Sequence, residues 1–334
     1  MDVSSDWKTA DHLKILILDV IKEVEGKWKA TIVAITSDAL GESRAARKRI
    51  VAEFLWFVAP DCFAHQINLV VGDYYKVPST SQFLQYTKKA TDLIAWLRSK
   101  TMVLAMLRDV QKALNLANPS QTQWVLAFRC LLDLRTMLEI LVKQERDCGT
   151  GDAKIVTGDA ASCQKAKQML ELIEEPLMWH ILAKMITHIG PLAMAINFAQ
   201  AAHCQLDEVL IILGYLMSRY LNLSTVTTST DDEIRIRAII DSLEKCWNKS
   251  DQTVFIATVI LNPFYKAKPF AQIQQFTTAG ITSSLLKLLQ QFYSSPPPES
   301  LRQEILDYLQ DCGNYEGFSK WAVGEQNAAE AQRE

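Results

Sequence analysis

The stretch that decides the fold is Ile32–Lys76, which reads IVAITSDALGESRAARKRIVAEFLWFVAPDCFAHQINLVVGDYYK. It begins with the apolar run Ile32–Ile35, whose length and β-branched residues are typical of a buried strand. The run ends in Thr36-Ser37-Asp38, so one carboxylate follows the carboxyl end of the strand. Open α/β sheets bind ligands and metals at that edge. The sequence therefore predicts a strand over Ile32–Thr36, with Asp38 at a ligand-binding position.

Two helices are predicted after this strand. The first carries a run of cationic residues, namely Arg44, Arg47, Lys48 and Arg49. Side chains that neutralise several phosphates would give a salt-dependent affinity for DNA, whereas a plain solvated face, diluted by Glu42 and Glu53, is the other reading. A second apolar segment, Leu55–Val58, breaks at Pro60, and a buried helix runs from Cys62 to Tyr75.

The motifs in this stretch resemble those of hAT-superfamily transposases. In that family a strand ends in an Asp within a D-x-x-x-x-x-x-A-R-like segment, and C-x-x-H-x-x-N-L opens the next buried helix. This chain has S-D-A-L-G-E-S-R-A-A-R and then C-F-A-H-Q-I-N-L, in the same order and at a compatible separation. The resemblance implies a partial RNase H-like α/β core followed by a large all-α insertion. The first strands of such a core would belong upstream of Met1.

The resemblance also implies a catalytic role for Asp38. RNase H-like transposases cut DNA with two Mg²⁺ ions, which need several convergent carboxylates. Asp38 matches the second of three acidic residues, and no match is found for the other two. We therefore expect a catalytically incomplete chain, with Asp38 as the remaining metal ligand. Capping of the following turn or helix by Asp38 is the alternative.

The other implied site residues lie in two further motifs. Cys62, His65 and Asn68 belong to the motif near the site, where we expect a structural role, because Cys62 and His65 form only half of a zinc site. Trp124 stands in Thr122-Gln123-Trp124, where the family carries T-R-W. An aromatic side chain there would stack on an unpaired base at a transposon end, or else belong to the core; Gln123 replaces the cationic residue of the motif.

Composition limits the partners and the compartment. The formal net charge is -3 and the pI is about 6.0, so any contact with DNA must come from a local basic patch. The cysteines show no paired spacing, which suits a reducing compartment. No signal peptide is recognised, and the most apolar stretch, Ile181–Ala202, is interrupted by Lys184, His188 and Pro191, which argues against a membrane span. We expect a soluble intracellular protein, and the resemblance implies a nuclear one.

The remaining sequence is almost purely helical in its apolar period. At 334 residues, two packed units are expected. We predict the partial core over 1–78, the all-α insertion over 79–323 with a linker near 147–160, and a disordered tail over 324–334. The β-branched run Thr253–Leu261 fits a strand or a buried helix. Helices are predicted over Thr9–Glu25 (ended by Gly26), Ser81–Lys100, Met102–Leu116, Thr122–Arg146, Lys165–Glu174, Leu177–His203, Leu206–Leu223, Asp231–Lys249, Ser284–Phe292 and Glu299–Leu309.

The sequence is compatible with three functions. The first is a transposase-derived protein that retains contact with transposon ends, whose homo-oligomerisation is open because no dimerisation segment is recognised. The second is a catalytically silent helical module that binds protein partners. The third is a metal nuclease in which Asp61, Asp73 or Glu42 would complete the site with Asp38.

Overall fold

The protein is all-α in the computed structural model, which describes residues 9–38, 41–100, 121–147 and 156–331. Short 3₁₀ turns lie at Pro78–Thr80, Gln274–Phe276 and Gly313–Tyr315. The α-helices are Ala10–Trp28, Gly41–Glu53, Phe63–Lys76, Ser81–Arg98, Gln121–Asp133, Arg135–Asp147, Ala160–Ile173, Pro176–Ala199, Leu206–Val226, Thr230–Lys249, Gln252–Leu261, Thr278–Tyr293, Leu301–Gln310 and Phe318–Ala331.

The predicted α/β core is wrong, because no strand or sheet forms in the described residues. The segment from Ile32 to Ser37 runs beside residues 57–62, but the backbone pairing consists of two isolated parallel bridges, Ala34 to Val58 and Ser37 to Asp61. The Thr36 hydroxyl adds one side-chain bond, to the Pro60 carbonyl at 3.1 Å. The pairing is interrupted at Pro60, which lies between the two bridges. A residue at position 60 would donate its N–H across to the facing chain, and Pro60 has none. The ladder is therefore interrupted at its centre, and the pair remains too short to be a strand.

The chain divides into two compact units. The first unit comprises Met1–Gln66, Ala201–Tyr215 and Glu244–Glu334, and the second comprises Ile67–Gln200 and Leu216–Leu243. Both units take residues from distant parts of the sequence. This division differs from the consecutive domains expected from the sequence.

The core of the first unit forms where three helices meet one extended residue. Gln252–Leu261, Thr278–Tyr293 and Leu301–Gln310 pack together, and Val58 joins them. Gln252–Leu261 is the run for which a strand had been an alternative. Asp251 favours the helix over the strand, because its carboxylate accepts a hydrogen bond from the Val254 N–H and so caps the start of the helix.

The core of the second unit is built around the helix Pro176–Ala199. This helix continues through Pro191 and packs against Gln121–Asp133 and Ser81–Arg98. His188 is buried in it, with Nδ1 3.0 Å from the Tyr74 hydroxyl, and its carbonyl accepts from Tyr220 at 2.6 Å. Burial lowers the pKa of His188 to about 4, so the ring is neutral at physiological pH.

Several predicted boundaries differ from the structure. The first helix passes Gly26 and ends at Trp28; its C-cap, Lys29, adopts the left-handed conformation (φ 55°) common at helix ends. The region predicted as one helix over Thr122–Arg146 is two helices separated at Leu134. Most of the predicted disordered tail is helical, as far as Ala331. The predicted helix Met102–Leu116 and most of the predicted linker lie outside the described residues.

Two helices in the described part of the chain are long and apolar enough to cross a membrane, by length and composition alone. They are Pro176–Ala199 and Leu206–Val226. More than half of the most apolar window of the first is buried, as in the core helix of a globular unit.

Candidate functional site

The candidate site is organised around Arg47, which lies inside the first unit. Its side chain is only 2% exposed. Nη1 donates to the Ala59 carbonyl at 2.8 Å, and Nη2 donates to the Asp38 carbonyl at 3.0 Å and to Asp61 Oδ1. Together with the Cys62 N–H, which donates to the Ser37 carbonyl at 2.8 Å, this side chain joins the segment containing Asp38 to the one that begins the next helix.

The prediction that Arg47 contacts DNA is wrong for this reason. A guanidinium that is buried and bonded to two carbonyls and a carboxylate has no surface left for a phosphate. The run of four cations suggested a solvated helix face, but the helical period places one of its members toward the core. The sequence does not indicate which of the four cations is buried, because the partners of Arg47 come from segments on both sides of the helix.

Asp61 has a central structural role in the site, although the sequence indicated it only as a possible metal ligand. Oδ1 accepts from Arg47, while Oδ2 accepts from Gln66 Nε2 at 2.9 Å and lies 3.3 Å from Arg44 Nη2. One carboxylate thus binds two arginines and a side chain in the first turn of the helix Phe63–Lys76. The sequence signal for this role was the position of Asp61 directly after a proline and just before a helix.

A surface cleft of about 400 Å³ opens beside these residues, entirely within the first unit. We call it the cationic cleft. Its charged lining comprises four cations and two acids, which leaves a local excess of positive charge on a chain of net charge -3. Asp251 is one of the two acids, and its carboxylate is already used as a helix cap. The lining residues are Arg44, Arg47, Lys48, Val51, Phe57, Ala59, Pro60, Asp61, Lys249, Ser250, Asp251 and Gln291.

Three of the cations offer charge to the cleft surface. Lys48 and Lys249 are exposed, and the structure gives neither an ion-pair partner within the described residues. Arg44 is partly exposed and shares Asp61 with the buried arginine. Arg49 does not belong to the group, because it pairs with Asp11 of the first helix. Lys249 was not predicted as a site residue, because it is far from the motif in sequence; it ends the helix Thr230–Lys249.

The segment that contains Asp38 and the segment that contains Cys62 lie side by side in the first unit, because the Cys62 N–H donates to the Ser37 carbonyl. Cys62, His65 and Asn68 are half-buried at the start of the helix Phe63–Lys76. Trp124 lies in the helix Gln121–Asp133 of the second unit, and its side chain is outside the described part of the structure.

Asp38 has an unusual environment for a surface carboxylate. Its Oδ1 is buried and has no hydrogen-bond partner among the described residues. That oxygen therefore makes none of the capping bonds considered as an alternative role. Its backbone carbonyl is held by Arg47.

The carboxylates around Asp38 do not fit a pair of Mg²⁺ ions. Such ions need several oxygen ligands that converge and remain free to coordinate, yet Asp61 is neutralised by two guanidinium groups. Glu42 is exposed on the next helix, and Asp73 belongs to the second unit, where it binds Lys76 and Ser242. Across residues 9–38, 41–100, 121–147 and 156–331, no three His, Cys, Asp or Glu side chains converge to hold a metal ion.

Comparison of the chain with family models, with curated proteins and with solved structures gave no significant match.

Proposed function

We propose that this protein is a catalytically inactive relative of the hAT transposases that binds DNA through the cationic cleft. The single observation that carries the proposal is the set of exposed cations around that cleft. Arg44 and Lys48 come from the helix after Asp38, and Lys249 comes from a distant helix. Cations from separate elements that line one concave surface can contact successive phosphates of a DNA backbone.

The buried arginine supports this role indirectly. Arg47 fixes the helix Gly41–Glu53 to the segments at Asp38 and Asp61. The exposed side chains of Arg44 and Lys48 therefore project from a rigid base. Phosphate contacts made from a rigid element lose less conformational entropy than contacts made by a flexible tail.

Loss of catalysis is part of the proposal. Asp38 is the one acidic residue that matches the family pattern, and the neighbouring carboxylate of Asp61 is engaged by arginines. Phosphate contacts position a protein on DNA without reading its sequence. We therefore expect affinity for DNA of any sequence, without strand cleavage, and a nuclear location.

The test is binding of the full chain to a fluorescent 30-base-pair duplex at about 50 mM salt, measured by anisotropy. The double variant Lys48→Gln/Lys249→Gln removes two proposed phosphate contacts, so its affinity should fall at least about tenfold. The matched control, Lys165→Gln/Lys320→Gln, removes two exposed lysines outside the cleft and should change affinity little. Equal losses in both variants, or no binding by the wild type, would overturn the proposal.

The second candidate function is a helical module that binds protein partners. It is favoured by an apolar groove of about 400 Å³ in the first unit, whose named lining residues include none with a charge. The same titration separates the two candidates, because an interaction module without DNA affinity would leave the anisotropy of the duplex unchanged.

A further inference from the structure

Consecutive prolines join two packed helices of the first unit. Pro296, Pro297 and Pro298, which we call the proline segment, stand between the helices Thr278–Tyr293 and Leu301–Gln310, and none of them is helical. A proline ring fixes φ at about -65°, and a residue that precedes a proline is driven from the helical region toward extended ψ values. The first two prolines each precede another proline. These restrictions together favour the polyproline II conformation, a left-handed helix with about three residues per turn.

Most of the proline segment is accessible from solvent. Pro296 and Pro298 are exposed, whereas Pro297 is half-buried. Successive side chains of a polyproline II helix point about 120° apart. Pro297 therefore occupies the edge that faces its own protein, and the rings of its two neighbours are presented outward. The exposed side chain of Tyr293, which ends the preceding helix, adds an aromatic surface nearby in the chain.

The backbone of the proline segment offers hydrogen-bond acceptors and is held at both ends. The carbonyls of Pro296 and Pro297 accept no hydrogen bond from any described residue, while the Pro298 carbonyl accepts from the Leu301 N–H at 3.1 Å, where the next helix begins. At the other end, Ser294 caps the preceding helix in the left-handed conformation (φ 50°). A segment anchored on two packed helices loses little conformational entropy when it binds a partner.

We propose that the proline segment binds the aromatic-lined groove of a polyproline-recognition domain in a partner protein. Such grooves take a preformed polyproline II helix, whose rings pack on aromatic side chains, and Trp N–H or Tyr O–H groups can donate to its free carbonyls. A surface cleft of about 830 Å³ borders Pro297 and Pro298 and leaves room for one wall of the groove. The proposal does not depend on DNA binding, because none of the three prolines lines the cationic cleft.

The first test is binding of the full chain to a fluorescent WW domain and to a fluorescent Src-homology 3 domain, measured by anisotropy. The wild type should bind at least one of these probes. Pro296→Ala/Pro298→Ala removes the two exposed rings and should weaken that binding by roughly tenfold or more. Pro269→Ala removes an exposed proline elsewhere in the first unit and should leave the binding unchanged. Absence of binding to both probes, or equal losses in the two variants, would overturn the proposal.

A competition measurement locates the contact on the partner domain and requires no variant of the chain. The peptide decaproline forms a polyproline II helix in water and occupies the aromatic-lined groove of the probe. An excess of decaproline should therefore displace the wild-type chain and return the anisotropy to that of the small probe–peptide complex. Binding of the chain that persists at saturating decaproline would place the contact outside the groove, and the proposed recognition would be wrong.

Discussion

Replacement of Arg47 by alanine tests the organisation of the site most severely. The substitution would remove a guanidinium that is 2% exposed and that joins Ala59, Asp38 and Asp61. Two inward-facing carbonyls and one carboxylate oxygen would each lose a donor. The segments on both sides of the helix Gly41–Glu53 would then be joined by their backbone bonds and by the Thr36 hydroxyl, which donates to the Pro60 carbonyl at 3.1 Å.

The loss of stability in Arg47→Ala depends on the buried groups that remain without a partner. Breaking a buried ion pair by removing one partner costs about 3–5 kcal/mol, because the other charge stays buried and unpaired. Asp61 keeps Arg44 and Gln66, which argues for the lower end of that range, while the two carbonyls that lose their donors add to the cost. We expect Arg47→Ala to lower the free energy of unfolding by about 3–4 kcal/mol. Arg44→Ala removes a partly exposed ion pair, and should cost less than about 1 kcal/mol.

The assay combines urea unfolding with hydrogen exchange, since a chain of two units need not unfold in one step. Peptides covering residues 57–62 report the local loss. Arg47→Lys is a useful companion variant, because it keeps the charge but loses the planar fork, and should fall between the wild type and Arg47→Ala. Equal and small losses for Arg47→Ala and Arg44→Ala would refute the reasoning.

Three further predictions concern the fold. The pKa of His188 is about 4 in the folded protein and about 6.5 in the unfolded chain. The free energy of unfolding should therefore be unaffected by this group above pH 6.5 and should fall by about 3 kcal/mol as the pH drops toward 4. Unfolding measured as a function of pH should show this loss, and His188→Gln should remove it. Pro60→Ala supplies an N–H to the Ile35 carbonyl, and the amide of residue 60 should become protected from hydrogen exchange; fast exchange there would contradict our explanation of the missing strand. Gly26→Ala in an open helical position should stabilise by about 1 kcal/mol, whereas Gly280→Ala, whose Cβ would lie 2.4 Å from a backbone oxygen, should destabilise in thermal unfolding.

Helices could be predicted from the sequence because their signal is local. The apolar spacing in Ser81–Arg98 and Thr230–Lys249 repeats over several turns, and both helices lie within one or two residues of their predicted bounds. The absence of a strand could not be predicted in the same way. Ile32–Thr36 has the β-branched residues of a strand, but pairing depends on a second segment, where Pro60 removes the central bond.

The site was partly predictable. The cationic helix and Asp38 were recognisable from their order in the sequence. The roles of Arg47 and Asp61 were not, because a cation and an acid that are fourteen residues apart reveal their pairing only when the chain folds. Lys249 carried no signal at all, since nothing in its local sequence connects it to the motif.

The most direct test of the central claim is the salt dependence of binding to a DNA duplex. The logarithm of the association constant should fall linearly with the logarithm of salt concentration, with a slope of about -0.9 for each phosphate contacted. For the wild type we predict a slope of roughly -3, from Arg44, Lys48 and Lys249. In Lys48→Gln/Lys249→Gln it should shrink to roughly -1. A slope that is the same in both proteins would contradict DNA binding through the cationic cleft.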